Sequence, residues 1–152
     1  MKKIIFVCTG NSCRSVMAEG LLKKYLKDRA DEFEILSAGI SAMDGLPATP
    51  ETVKVMHNEG VDVSNHRSHR LNTEMVAEAT KIFVMQKMHK DWILRFVPEA
   101  KEKVFLLTEF HRPDYGHSTE VDIPDPIQMS ESFYENVLKV IRDCVAKIAL
   151  SL

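Results

Sequence analysis

Cys8 and Arg14 stand six positions apart in the run Cys8-Thr9-Gly10-Asn11-Ser12-Cys13-Arg14-Ser15. A cysteine thiolate is a strong nucleophile, and the donors that bind an anion also favour thiolate over thiol. An arginine offers a planar fork that fits two oxygens of a phosphate. Between the two lie Gly10 and Asn11, residue types that enter positive φ easily, so the chain can curl and turn its N–H groups inward. A phosphate held in such a cradle presents its phosphorus to the sulfur. The chemistry these residues point to is nucleophilic phosphoryl transfer to cysteine.

The spacing alone is a weak signal, because a buried cysteine at a strand end with a surface arginine further on is an ordinary arrangement. The flanking elements strengthen it. Ile4-Ile5-Phe6-Val7 is a short, continuous, β-branched run, as in a strand covered on both faces. Ser15 to Lys27 has helical period, with Met17, Leu21, Leu22 and Tyr25 or Leu26 on one face. The loop therefore leaves the carboxyl end of a strand, where open α/β sheets bind ligands. It enters a helix whose first N–H groups are unpaired and partly positive. Ser15 reads first as the N-cap of that helix. Two other phosphate loops fail on their residues: the Lys of a Walker loop is missing, and a dinucleotide fingerprint finds only Gly10.

The remaining elements alternate. Glu34 to Ser37 reads as a strand ended by Ala38-Gly39. Thr49 caps, and Pro50 opens, a helix through Val53 and Met56 that stops at Gly60. Thr73 to Ala79 is a short helix, Lys81 to Met85 a strand, and Lys87 to Phe96 a helix halted before Pro98. Val104 to Leu107 is a fourth strand. A last helix spans Ser130 to Leu150, with Phe133, Val137, Val140, Ile141, Cys144, Val145 and Ile148 inward. Strands separated by helices imply parallel pairing by right-handed crossovers, hence a three-layer α/β sandwich. No linker or repeat divides the 152 residues, so residues 1–152 are expected to form a single domain.

Composition narrows the class. Hydrophobic residues make up 45% and the net charge is only −2, which excludes disorder. Three cysteines are too few, and odd in number, for a disulfide scaffold, and they read as cytosolic thiols. No apolar run approaches the ~20 residues of a membrane helix. The N-terminal apolar run ends at Cys8, too soon for a signal peptide. The expectation is a cytoplasmic protein without membrane attachment. An isoelectric point near 6.3 gives no pull toward nucleic acid.

Transfer from a poor leaving group needs an acid. The long unstructured stretch from His111 to Met129 offers Asp114, Glu120, Asp122 and Asp125. Spacing does not choose among them, although prolines on both sides of Asp125 stiffen its backbone. Cys144 follows the apolar face of the last helix and reads as core. His66 and His69, and His111 and His117, lack a third ligand at useful spacing, so no metal is expected.

The run from Val7 to Ser15, with Met17-Ala18-Glu19, resembles the low molecular weight protein tyrosine phosphatases. Ser37-Ala38-Gly39, Gly60-Val61-Asp62 with His66, and Asp122-Ile123-Pro124-Asp125-Pro126 extend the resemblance over nearly the whole chain. It implies a four-stranded parallel sheet in order 2-1-3-4 flanked by helices. It also implies a phosphocysteine intermediate, with Cys8 as nucleophile, Arg14 and the loop Thr9 to Ser15 holding phosphate, and Asp125 as acid and then base. Asn11, Ser15, Ser37 and His66 match buttressing positions, and Cys13 matches a partner for a reversible disulfide with Cys8. Phosphorylated protein substrates, no cofactor and a monomer complete the expectation.

Two departures bear on substrate. Tyrosine-specific members often carry aromatic walls after Asp-Pro and in the loop after the second strand, whereas here Ile127 follows Asp-Pro and Ser41 to Pro47 has no aromatic residue. Tyr115 is a candidate replacement. Ser12 stands where such members are often apolar and where the family's phosphoarginine phosphatases carry Thr, which makes protein-arginine phosphatase the alternative. Arsenate reductases share the fold and a similar first loop, but Ser68 to Val104 lacks their relay cysteines. Phosphocarriers of similar topology lack the arginine.

Overall fold

The computed structural model describes residues 1–110 and 122–152. Strands β1 (Lys2–Cys8), β2 (Phe33–Gly39), β3 (Lys81–Val84) and β4 (Val104–Leu106) form one parallel sheet in the order β2-β1-β3-β4. Around it lie helices α1 (Arg14–Tyr25), α2 (Pro50–Asn58), α3 (Thr73–Glu78), α4 (Lys87–Phe96) and α5 (Glu131–Ser151). The expected sandwich and strand order are observed.

The central strand explains its own composition. Ile4, Phe6 and Cys8 pack into a core with α1 and α5, while Ile5 and Val7 pack into a second core with α3 and α4. Both faces are covered, so β1 carries no polar alternation. Helix α1 ends at Tyr25 rather than Lys27, and Lys27–Arg29 tightens into a 3₁₀ turn. Thr49 caps α2 by accepting the Thr52 N–H, and Gly60 takes φ 79° just beyond it.

Helix α5 is turned slightly from the expected face. Tyr134 and Leu138 are buried with Val137, Ile141, Cys144, Val145 and Ile148, while Phe133 and Val140 only flank the core. The helix packs on both α1 and α2, so its buried stripe is broad. Cys144 is fully buried, and burial pushes its thiol up to about 12.

One glycine positions the site. A Cβ on Gly39, the last residue of β2, would lie 2.5 Å from the Thr9 carbonyl oxygen and 2.9 Å from the Asn11 nitrogen. Both are backbone atoms, so the loop after β1 lies against β2 only because this residue has no side chain. Gly39 also donates to the His69 carbonyl and accepts from the Leu71 N–H, both at 2.9 Å, drawing residues 69–71 to the same edge.

Candidate active site

The loop between β1 and α1 is organised by Asn11. This residue is fully buried with φ 54°, whereas Gly10 stays at ordinary φ, so the asparagine makes the left-handed turn. Its N–H donates to Cys8 Sγ at 3.2 Å, and its carbonyl accepts from His66 Nε2 at 2.9 Å. Its Oδ1 accepts the His69 N–H at 2.9 Å. Its Nδ2 donates to Ser15 Oγ at 2.8 Å and to Ser37 Oγ at 2.9 Å. Every polar group of Asn11 is thus committed to holding the loop.

Those donations leave each hydroxyl proton free for another partner. Ser15 Oγ accepts from Asn11 and lies 2.9 Å from Cys8 Sγ, where its proton can be donated to a thiolate. The expectation that Ser15 caps α1 is corrected: Cys13 occupies the cap, without a side-chain bond, and Ser15 lies inside the helix. Ser37 likewise accepts from Asn11 and donates to the Glu19 carboxylate, which also pairs with Lys23 at 2.6 Å. Hydrogen bonds from the Asn11 amide thus branch through Ser37 to Glu19 and to Ser15, which lies beside the sulfur. Glu19 belonged to a matched motif but carried no role in the sequence reading.

Arg14 is 1% exposed. Its Nη1 donates to Gln86 Oε1 at 2.6 Å and to the Ile123 carbonyl at 2.8 Å. Both acceptors are neutral, so they orient the guanidinium without cancelling its charge. Arg14 Nη2 lies 3.7 Å from Asp125 Oδ2, and buried Nε has no partner among the described residues. An unpaired buried N–H is costly, and the Nε–Nη2 edge has the shape that takes two phosphate oxygens. Asp125 is half-exposed, and its Oδ1 accepts the Ile127 N–H at 3.1 Å. The fold thus brings Cys8, Arg14 and Asp125 to one end of the sheet.

Two further residues support the loop and were missed in the sequence. His89, in the first turn of α4, is fully buried. Its Nδ1 accepts the Gln86 N–H at 3.0 Å, so the ring proton sits on Nε2 and is donated to Thr9 Oγ1 at 2.9 Å. Tyr134 brings its hydroxyl to 3.6 Å from Cys13 Sγ and 3.3 Å from Thr49 Oγ1, and burial pushes its pKa up to about 12. Both looked like ordinary helix positions. Cys8, Cys13 and Cys144 are free thiols, and all are buried. Cys13 Sγ also lies 3.7 Å from the Ser12 hydroxyl. Asp114, Glu120, Tyr115, His111 and His117 lie outside the described residues.

Burial, then the Arg14 charge, holds His89 at about 4, below its usual 6.5. The folded protein keeps this imidazole neutral where the unfolded chain already binds a proton. Its stabilising contribution is complete above pH ~6.5 and falls by roughly 3 kcal/mol as pH drops toward ~4. Urea midpoints at neutral and acid pH should therefore lie further apart in the wild type than in His89→Gln. Equal separations would remove His89 as a source of acid sensitivity.

The model of the low molecular weight phosphotyrosine protein phosphatases matches residues 3–152. The chain belongs to that family. It is 38% identical to a low molecular weight protein-tyrosine-phosphatase of Acinetobacter johnsonii, over 95% of this chain and 94% of that one. It is 39% identical to a protein-arginine-phosphatase of Geobacillus stearothermophilus, over 82% and 78% respectively. Among solved structures, the low molecular weight protein tyrosine phosphatase from T. tengcongensis superposes with a TM-score of 0.88 at 33% identity, covering all of both chains. This phosphatase is thus a cysteine-based hydrolase. No helix among its described residues is long and apolar enough to cross a membrane.

Proposed function

We propose that this phosphatase dephosphorylates phosphotyrosine in proteins through Cys8, Arg14 and Asp125. The observation that carries the reading is the convergence on Cys8 Sγ of the Asn11 N–H, at 3.2 Å, and the Ser15 hydroxyl, at 2.9 Å, beside a buried arginine whose Nε has no partner among the described residues. Both groups face the sulfur that attacks phosphorus in line. Arg14 and the N–H groups of Thr9 to Ser15 hold the equatorial oxygens as charge redistributes. Asp125 protonates the leaving phenolate. It then takes a proton from the water that hydrolyses phosphocysteine, and Ser15 stabilises the departing thiolate. Ser37 and His66 act through Asn11.

A second substrate class is favoured by particular residues. Met43, Leu46 and Ile127, exposed near the carboxyl ends of the strands, are aliphatic where an aryl ring would favour aromatic walls. Ser12 adds a hydroxyl suited to a guanidinium. The test is kcat/KM on matched phosphotyrosine and phosphoarginine peptides, with Cys8→Ser as blank. Preference for phosphotyrosine supports the main reading. Preference for phosphoarginine replaces it and makes Ser12 the determinant.

The same reading gives Cys13 a protective role in a reducing, cytoplasmic setting. Peroxide oxidises the Cys8 thiolate to sulfenic acid, and the Cys13 thiol displaces water to form a disulfide that a thiol reductant reopens. Peroxide-treated wild type should regain activity with reductant, whereas Cys13→Ser should not. Equal recovery makes Cys13 a bystander.

A further inference from the structure

Building on the assignment of Asp125 as the acid, we propose that Asp122 is the positioning residue that sets where the Asp125 carboxyl stands. The segment that carries the acid is tied down from Asp122 onward. The Asp122 Oδ1 accepts the N–H of Lys87, the first residue of α4, at 2.7 Å. Ile123 donates its N–H to the Met85 carbonyl at 2.9 Å, and its own carbonyl accepts Arg14 Nη1 at 2.8 Å. Of these three ties, only the one from Asp122 uses a side chain of the acid segment itself.

The anchor point has a meaning beyond its strength. A carboxylate on the first N–H of a helix satisfies an orphan donor and meets the positive end of the helix dipole. Here that helix turn also holds the other parts of the site. Gln86, which precedes Lys87, accepts from Arg14, and His89 donates to Thr9. Asp122 therefore registers the acid segment against the same turn that fixes the arginine and the nucleophile loop. Pro124 and Pro126 flank Asp125 and lock its neighbours' φ angles. A displacement at Asp122 is carried along this stiff segment to the carboxyl rather than absorbed between them. Proton transfer tolerates little displacement, because donor and acceptor must meet at hydrogen-bond distance.

The readout is the ratio of kcat/KM for phenyl phosphate, whose leaving phenolate needs a proton, to that for dinitrophenyl phosphate, whose leaving group departs as an anion. A ratio within one preparation does not depend on how much protein is folded. Asp122→Ala should lower it about three- to tenfold, the size expected for losing one charge-assisted bond at a solvent-facing helix end. Asp122→Asn, which keeps an acceptor for the Lys87 N–H, should restore most of it. Asp125→Ala should lower the ratio further, and adding Asp122→Ala to it should change nothing more, because no acid is left to position. If Asp125→Ala lowers the ratio but Asp122→Ala does not, or if the two effects multiply in the double variant, Asp122 does not act through Asp125 and the proposal is overturned. If Asp125→Ala itself leaves the ratio unmoved, the acid assignment fails and takes this proposal with it.

Discussion

Cys8→Ser is expected to lower kcat/KM on a phosphotyrosine peptide by about 10⁴-fold or more, while inorganic phosphate still binds. The substitution is nearly isosteric at a buried position, so the cradle keeps its shape. The chemistry changes because a serine hydroxyl, unlike a thiol, is not appreciably ionised near neutral pH. The Ser15 O–H and the Asn11 N–H would then face a neutral oxygen and have no anion to stabilise. Arg14 is held by Gln86 and Ile123 rather than by the sulfur, so the orientation of its guanidinium survives. Calorimetric titration with phosphate and steady-state kinetics separate the two effects. Retained hydrolysis would remove Cys8 from the nucleophile role. Lost phosphate binding would show that the cradle itself depends on the sulfur.

What the sequence disclosed and what it hid divide along a physical line. Local signals were legible: the two-sided apolar run of β1, the Thr49-Pro50 start of α2, the glycine after it, and the loop chemistry of Cys8 and Arg14. Each depends on neighbours within one turn or one strand. The polar partners were not legible, because their mates are remote in sequence. Arg14 meets Gln86 and Ile123, 72 and 109 positions away, and Cys13 meets Tyr134, 121 positions away. Helical period says which face of α4 or α5 is buried, but not that a polar atom on that face reaches a loop. Ser15 shows how a local rule is overridden. A hydroxyl at a helix start defaults to capping. Here Ser15 lies inside the helix, its oxygen accepts from the Asn11 amide and sits 2.9 Å from the sulfur, and that amide also donates to Ser37 from the next strand. For Asp125 the prolines indicated stiffness, but only the fold supplied its 3.7 Å approach to Arg14.

That approach underlies the other large effect. Asp125→Ala is expected to slow kcat/KM on phosphotyrosine peptides by ~10²–10⁴, and to slow esters with good leaving groups much less. The two oxygens of this carboxyl are differently employed. Oδ1 accepts the Ile127 N–H, which fixes the side chain against its own turn, and Oδ2 faces the guanidinium that is to hold the phosphate. Oδ2 is therefore the oxygen placed to carry the proton to a leaving group bonded to that phosphate. The side chain is also 43% exposed, so water can reach the same oxygen once the leaving group has gone. One carboxyl then serves both halves of the reaction, and the two halves can be pulled apart. With dinitrophenyl phosphate the first step needs no proton, so Asp125→Ala should form phosphocysteine at a nearly normal rate and hydrolyse it slowly. Stopped-flow traces should show a burst of about one equivalent of dinitrophenolate, followed by a slow phase. Equal loss on both classes of ester, with no burst, would mean that Asp125 supports the loop and that another group supplies the proton.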